Sequence, residues 1–252
     1  MSDRVLVALE GGVLTATLNR PEKKNAIDTP MIDALLTLLE RADLDGAVRV
    51  VAVRGAGGDF CAGMDLNELL ASADKSVEEN RRAALQFAEI FVRMRRLPKP
   101  IVAVVQGRAL AGGCGLATAC DLVLATESAS FGYPEVQRGF VPAIVMTLLK
   151  RSAGEKVAFD LAATGRILGA PEAAGLGLVS RVYEDSDFED QVSEVLRALA
   201  GASPSALAFT KQQFYQLDGL RFEDGIRLGA DVNAVSRTTP DFRAALQAFL
   251  KK

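Results

Sequence analysis

The chain has 252 residues, of which 49% are hydrophobic and 24% charged, and it carries a formal net charge of −3. This length fits one large α/β domain or an α/β core with a helical appendage, and the composition is that of an ordinary globular protein. The basic residues form no dense run, which argues against nucleic acid as a partner. With no signal-peptide pattern and no uncharged stretch of transmembrane length, we expect a cytoplasmic protein with no membrane partner.

The counts of cysteine and histidine exclude several kinds of catalytic site. The three cysteines form no CxxC pair, so we expect a reducing compartment and no disulfide bond. Histidine is absent. This absence excludes Ser-His-Asp and Cys-His triads and histidine-ligated zinc, and we expect no metal site. Any general acid or base must be Asp, Glu, Lys, Tyr or Cys.

Strands and helices alternate in the first part of the chain. Residues 4–21 predict two alternating strands joined by a turn at Gly11-Gly12. Thr29 is predicted as the N-cap of the first helix, with Pro30 at its first position. A continuous apolar run at 48–55 predicts a buried strand, and a short helix follows a glycine-rich loop.

Further helices and strands follow in the same alternation. Ser76 and Glu79 form a predicted capping box for a long helix that ends before Pro98. Buried strands are predicted at 101–107 and 121–126. The later segments are predicted as helices at 154–165 and 171–177 and a strand at 178–184.

The last part of the chain is almost entirely helical in pattern. Helices are predicted at 190–202, after Ser203-Pro204, and from Pro240 onward. We therefore predict an α/β core at 1–186 and a helical C-terminal subdomain at 187–252.

Two predicted strand-to-helix turns are rich in glycine. In one, Gly63 precedes Met64 and Asp65 at the start of a helix; in the other, Gly112 and Gly113 occupy the same place. Such turns on neighbouring strands can direct two backbone N–H groups at one point, which is the geometry of an oxyanion hole. Packing alone is the alternative for either turn. A phosphate loop is disfavoured because neither GxxxxGK[ST] nor GxGxxG occurs.

A third turn contains a carboxylate. Glu135 follows a strand that ends at Phe131-Gly132 and lies among apolar neighbours. Partial burial would raise its pKa and allow proton exchange near neutral pH. The alternative is a surface turn in which Glu135 pairs with Arg138.

Five motifs in order, covering essentially the whole chain, resemble the crotonase superfamily, which is also called the enoyl-CoA hydratase/isomerase family. They are LNRPEKKNAID (18–28), DFCAGMDLNEL (59–69), GRALAGGCGLATACDLVLAT (107–126), FGYPEVQRGFVP (131–142) and GRILGAPEAAGLGLVSRV (165–182). The resemblance implies an α/β crotonase (ClpP-like) fold of repeated ββα units with a helical C-terminal trimerisation subdomain. It also implies a homotrimer, commonly stacked as a hexamer.

The substrate that the resemblance implies is an acyl-CoA thioester, with no cofactor besides the coenzyme A of the substrate. Its carbonyl oxygen would lie between the backbone amides of Met64 and Gly112, and Glu135 would be the acid–base residue. Asp65 and Asp121 are expected to cap a helix or bind a loop amide. The remaining implied contacts to coenzyme A or the acyl group are Lys23, Lys24, Ala26, Ala62, Gly63, Asp65, Leu66, Gly113, Gly115, Tyr133 and Phe140.

The chain departs from the family pattern at one position. Hydratases of the family usually carry two glutamates that hold one water molecule. Glu135 matches the second glutamate, but Gly115 stands at the position of the first. We expect Gly115 to leave a gap beside the oxyanion hole.

Three functions remain open at this point. A hydratase or dehydratase of a short-chain or branched 2-enoyl-CoA, for example of the methylglutaconyl-CoA type, is favoured by a modest margin. A Δ3-Δ2-enoyl-CoA isomerase that uses Glu135 alone is the second. A noncatalytic acyl-CoA-binding or RNA-binding module is the third, and the low basic charge and the retained Glu135 argue against it.

Overall fold

The computed structural model describes residues 3–251, which form nine strands and ten α-helices. The strands are β1 (Val5–Glu10), β2 (Val13–Leu18), β3 (Val50–Gly55), β4 (Ile101–Val105), β5 (Arg108–Leu110), β6 (Leu122–Thr126), β7 (Ser130–Gly132), β8 (Ile167–Gly169) and β9 (Arg181–Tyr183). The helices are α1 (Thr29–Leu44), α2 (Leu66–Ser72), α3 (Val77–Arg96), α4 (Gly112–Ala119), α5 (Met146–Thr164), α6 (Ala170–Gly175), α7 (Phe188–Gly201), α8 (Pro204–Gln216), α9 (Phe222–Ser236) and α10 (Pro240–Leu250).

The main sheet has six strands in the order β1-β2-β3-β4-β6-β9. The predicted hairpin is confirmed: β1 pairs antiparallel with β2, and Gly11 and Gly12 form the turn with positive φ angles of 55° and 83°. The other neighbours in this sheet are parallel. Parallel strands need crossover connections, and the crossover helices α1 and α3 pack on one face of the sheet, whereas α7, which follows β9, covers the other face.

Alternate residues of the central strands enter two separate cores. Val51 and Val53 belong to the larger core, which α1 and α3 cover. Val50 and Ala52 belong to the smaller core, which α7 covers with residues such as Phe188. The continuous apolar run at 48–55 is therefore explained by burial on both faces, as predicted.

A second, three-stranded sheet has the order β5-β7-β8. Its strands have three residues each, and β5 pairs parallel with β7 while β7 pairs antiparallel with β8. This small sheet lies directly before α4 and before a 3-10 helix at Pro134–Arg138. It is therefore the element that positions both segments.

Two predicted helix starts need correction. The N-cap of α1 is Asp28, whose carboxylate accepts a hydrogen bond from the Met31 amide, and not Thr29. Thr29 is already helical, and its amide and hydroxyl donate to Glu68, 39 residues away. Helix α5 starts at Met146 rather than near Gly154, where the backbone kinks with φ 76°. The capping box of Ser76 and Glu79 is confirmed.

The C-terminal helices differ in how they meet the core. Helix α7 packs on the main sheet, and α8 is held by Lys211, which donates to Asp121 over 2.7 Å and to the Lys99 carbonyl over 2.9 Å. Helices α9 and α10 contain no buried residue within the described range. The boundary between 186 and 187 stays a prediction. No helix within residues 3–251 combines the length and the apolar character that crossing a bilayer requires.

Candidate active site

Strand β5 joins the three turns that the sequence analysis selected. On one side, the Cys61 amide donates to the Arg108 carbonyl, and the Leu110 amide donates to the Cys61 carbonyl. On the other side, the Ala111 amide donates to the Gly132 carbonyl over 2.8 Å. The loop before Met64, the start of α4 and the segment before Glu135 are therefore fixed to one short strand.

The amides of Met64 and Gly112 are available for a ligand. Within residues 3–251, neither N–H donates a hydrogen bond to the protein. The two turns are in contact, because a Cβ added to Gly63 would lie 3.3 Å from the Gly112 nitrogen. Gly63 also has a φ of 99°, which side chains disfavour. The structure thus brings together two unpartnered amides, as an oxyanion hole requires.

The residue between the two turns has a strained backbone. Ala111, the N-cap of α4, has φ 52° and ψ −128°, which is unusual for a residue with a side chain. Its hydrogen bond to Gly132 helps to hold this conformation. Strain of this kind accumulates at functional sites because it fixes the direction of the next amide, here that of Gly112. The sequence gives no signal for the positive φ at an alanine.

Gly113 is required by packing. A Cβ at this position would lie 2.3 Å from the Cys61 carbonyl oxygen and 2.7 Å from its Cβ. The glycine therefore allows α4 to begin directly against the loop that leads to Met64. Gly113 and Cys61 together set the spacing of the two turns.

The segment around Lys23 and Lys24 runs beside the Met64 loop. The Ala62 amide donates to the Lys24 carbonyl over 2.9 Å, and the Ile27 amide donates to the Gly63 carbonyl over 2.8 Å. Both lysines are exposed, and Lys24 has a positive φ of 52°. The structure therefore brings the lysines, Ala26 and the 62–66 loop together in one strip, and Leu66 at the start of α2 is exposed at its edge.

Asp65 has the structural role that the sequence predicts. Its carboxylate caps α2 by accepting from the Asn67 amide, and it forms a buried ion pair of 2.9 Å with Arg20. Burial alone would raise the pKa of Asp65, but the hydrogen bonds from Arg20 and from the amides of Asn67 and Glu68 outweigh burial and lower it. Asp65 thus anchors the loop that carries Met64.

Glu135 is a buried carboxylate with free bonding capacity. The residue is 7% exposed, and its Oε2 atom is buried without a hydrogen-bond partner among residues 3–251. Burial raises the pKa of Glu135, while its own backbone amide and the charge of Arg138 oppose the rise. No ion pair joins Glu135 to Arg138 within the described residues, because Arg138 instead donates to the Pro134 carbonyl. Glu135 is therefore not a surface residue paired with Arg138, which was the alternative interpretation of this turn.

Phe140 and Tyr133, two of the site residues predicted from the sequence, differ in burial. The Phe140 amide donates to the Glu135 carbonyl over 3.1 Å, and the Phe140 side chain is half-exposed. Tyr133 is fully buried, and its hydroxyl lies 3.1 Å from the Thr118 hydroxyl. Burial raises the pKa of Tyr133 well above its usual value, so the phenol stays neutral. Tyr133 is the residue immediately before the 3-10 helix that carries Glu135.

The prediction that Gly115 leaves a gap is wrong. A Cβ at Gly115 would lie 2.1 Å from Cγ1 and 2.7 Å from Cβ of Val145, which is itself 3% exposed. The isopropyl group of Val145 therefore fills the space that a side chain on residue 115 would enter. Val145 is a residue that the sequence analysis missed, since a contact over 30 positions leaves no local signal.

This arrangement combines two free amides with one desolvated carboxylate in an apolar setting. Amides of this kind stabilise the negative oxygen of an enolate, and a carboxyl group with a raised pKa can both take up and return a proton. The site therefore fits proton transfer next to a carbonyl group.

Comparisons with known proteins agree with the fold. A crystal structure of an enoyl-CoA hydratase from Mycobacterium smegmatis superposes with a TM-score of 0.94 at 31% identity, covering 99% of this chain and 97% of that chain. This similarity confirms the predicted crotonase fold class.

The family follows from the sequence comparisons. The family model for enoyl-CoA hydratase/isomerase matches residues 8–252. A Thermus thermophilus protein provisionally named as an enoyl-CoA hydratase is 41% identical over 96% of both chains. The 1,2-epoxyphenylacetyl-CoA isomerase of Escherichia coli is 32% identical, covering 100% of this chain and 97% of the relative. The chain belongs to the enoyl-CoA hydratase/isomerase family and is an enzyme of that family.

Proposed function

We propose that the protein isomerises 3-enoyl-CoA thioesters to 2-enoyl-CoA thioesters with Glu135 as its only proton carrier. The observation that carries this proposal is the buried Glu135 carboxylate with an unpartnered oxygen. The apolar Val145 fills the space that a side chain at residue 115 would enter, and residue 115 is the position that matches the other glutamate of the two-glutamate hydratases. Hydration needs a positioned water molecule, whereas movement of a double bond needs one base that can reach two carbons.

The reaction starts with removal of a proton from C2. Glu135 takes this proton, and the electron pair of the C–H bond delocalises into the thioester carbonyl and the adjacent double bond. The resulting dienolate oxygen accepts hydrogen bonds from the Met64 and Gly112 amides. One such donor typically lowers the barrier by about 2.7–4 kcal/mol.

The second step returns the proton at C4. Protonated Glu135 donates its proton to C4, the double bond settles between C2 and C3, and the carboxylate is regenerated. No atom is gained or lost, and the steps use no bound cofactor beyond the coenzyme A of the substrate. A raised pKa serves both steps, because the same group must be a base and then an acid.

The coenzyme A portion of the substrate is proposed to lie along the strip of Lys23, Lys24 and the 62–66 loop. Two exposed ammonium groups supply charge for phosphates. The adjacent Ala62 and Gly63 backbone would then lead the thioester to the free amides. The half-exposed Phe140 is proposed to contact the acyl portion.

Hydration of a 2-enoyl-CoA is the second candidate. The hydratase names of the Thermus thermophilus relative and of the Mycobacterium smegmatis structure favour it. In that case another group would orient the water molecule. The candidate substrates would then include branched or carboxylated acyl groups such as methylglutaconyl.

Mass spectrometry in ¹⁸O-labelled water tests these functions. The purified protein is incubated with trans-3-hexenoyl-CoA, crotonyl-CoA and 3-methylglutaconyl-CoA, and the products are separated by chromatography. We expect the 3-enoyl thioester to become the 2-enoyl isomer without a change in mass. Gain of labelled water on crotonyl-CoA or methylglutaconyl-CoA, with no isomerisation, would replace the proposal with hydration.

A variant of the carboxylate gives the matching control. Glu135→Gln keeps the shape of the side chain but cannot carry the proton, and we expect a loss of roughly 10²- to 10⁴-fold in rate. Binding of the thioester should persist. Unchanged turnover would remove Glu135 from the mechanism.

We further propose self-association as a trimer, which can stack as a hexamer, through the C-terminal helices. Helices α9 and α10 bury none of their described residues, yet Phe222 and Phe249 are 79% and 75% exposed. Apolar surface of this kind favours an interface. Light scattering coupled to size exclusion should give three or six chains, and a monomer would contradict the proposal.

A further inference from the structure

Gly115 and Val145 compete for one volume inside the protein. Helix α4 carries Gly115, and Val145 stands immediately before α5. A Cβ at residue 115 would lie 2.1 Å from Val145 Cγ1, 2.7 Å from its Cβ and 3.6 Å from its Cγ2. Carbon atoms do not approach within about 3 Å, and a buried β-branched side chain has little freedom to rotate away. A side chain at 115 therefore forces Val145 or its backbone to shift, unless a smaller residue stands at 145.

Two properties of Val145 make it the obstacle. It is 3% exposed and belongs to the larger hydrophobic core, so its side chain has little room to move away. It stands at the start of α5 with a helical backbone (φ −73°, ψ −19°) and makes no side-chain cap hydrogen bond. The side chain of Val145 therefore serves packing, and a Cβ at residue 115 would lie within its volume.

Resting on the proposed function, we propose that Val145 determines which reaction this site performs. Its isopropyl group fills the volume that a second carboxylate at residue 115 would need, and it presents a surface that cannot hold a water molecule by hydrogen bonds. The site is thereby limited to proton transfer by Glu135 alone. Loss of Val145 together with gain of a glutamate at 115 would then allow a water molecule to be held between two carboxylates.

The competition for volume is tested first by stability. Alanine favours helices more than glycine does, so Gly→Ala within a helix normally raises stability. We expect Gly115→Ala instead to lower Tm by on the order of 5 °C, because of overpacking against Val145. In the Val145→Gly background, the same substitution should raise Tm. Gly201→Ala in α7, where an added Cβ meets nothing within 4 Å, is the control and should not lower Tm.

The two changes in Tm caused by Gly115→Ala, one in each background, decide whether residues 115 and 145 compete for volume. A change of sign for Gly115→Ala between the two backgrounds establishes the competition. A loss of Tm in both backgrounds, or no loss with Val145 present, would overturn it. The loss of Tm that Val145→Gly causes by itself reflects the cavity it leaves and the flexibility of glycine, and it is common to both proteins compared in that background.

The reaction type is tested by adding the carboxylate. Gly115→Glu, Val145→Gly and the double variant are compared with the wild type for hydration of crotonyl-CoA and isomerisation of trans-3-hexenoyl-CoA. We expect only the folded double variant to gain hydration, by about tenfold or more over either single variant. Circular dichroism and coenzyme A binding confirm that each compared variant is folded.

The possible results separate this inference from the proposed function. A folded double variant without added hydration, or full hydration by Gly115→Glu alone, would overturn the role of Val145. A wild type that does not isomerise 3-enoyl-CoA would overturn the proposed function. The role of Val145 would survive that second failure if the double variant still gained hydration.

Discussion

Gly63 approaches Ala111 so closely that a Cβ added to Gly63 would lie 2.8 Å from the Ala111 Cβ. This contact holds the Met64 and Gly112 amides beside one another. Because Gly63 also has a φ of 99°, Gly63→Ala adds both a clash and backbone strain. We expect kcat to fall about 10²- to 10³-fold, as for loss of an oxyanion donor, with a smaller change in KM.

The control for this variant is Gly219→Ala. Gly219 also has a positive φ, of 83°, but an added Cβ meets nothing within 4 Å there. Gly219→Ala should therefore introduce backbone strain without a loss of activity. An equal loss of kcat in both variants would show that stability, and not the geometry of the amides, explains the effect.

Glu135→Gln should make the protein more stable at neutral pH while it slows turnover. Burial raises the pKa of Glu135, so the folded state binds its proton more tightly than the unfolded state does. Stability of the wild type therefore falls as pH rises from the ordinary glutamate pKa of about 4.3 through the raised folded value. Thermal unfolding at several pH values should give a higher Tm for the variant above this range and a smaller difference below it.

The pH profile of kcat/KM for the wild type should fall at acidic pH because Glu135 becomes protonated. Proton removal from C2 needs the carboxylate form, so kcat/KM should rise with pH through the raised pKa of the folded enzyme and not near the ordinary glutamate value. The residual rate of Glu135→Gln should lack this acidic fall. A fall that persists in the variant would assign it to another group.

The exposed lysines should affect coenzyme A recognition and not the chemical step. We expect Lys23→Gln with Lys24→Asn to raise KM for an acyl-CoA by about tenfold, which corresponds to 1.4 kcal/mol, with kcat nearly unchanged. Asparagine suits the positive φ of Lys24. The effect should weaken at high salt.

Two controls distinguish phosphate binding from a general effect of charge. Lys156→Gln removes an exposed charge on α5 and should leave KM unchanged. A thioester of N-acetylcysteamine has no phosphates, so the double variant should turn it over as the wild type does. An equal rise in KM for this short thioester would contradict phosphate contact.

The elements that the sequence predicts well are those with short-range causes. The turn at Gly11-Gly12 and the capping box of Ser76 and Glu79 depend on neighbours along the chain, and both occur where predicted. The prediction of Thr29 as the N-cap of α1 is wrong, and here a long-range contact is involved. Thr29 bonds to Glu68 across the fold, which leaves the cap to Asp28.

The site follows the same division between local and long-range causes. Motif order identifies the turns at Met64 and Gly112, because glycines mark them in the sequence. The strained backbone of Ala111 and the side chain of Val145 against Gly115 arise only when distant segments meet. The absence of the second glutamate is visible in the sequence, but what stands in its place is visible only in the fold.

The most direct test of a single proton carrier follows the proton itself. Trans-3-hexenoyl-CoA with two deuterons at C2 is turned over in ordinary water, and the early 2-hexenoyl-CoA product is examined by NMR and mass spectrometry. If Glu135 alone moves the proton in a buried site, part of the deuterium should appear at C4, and no oxygen should be added. Addition of oxygen at C3, or the same transfer by Glu135→Gln, would contradict this account.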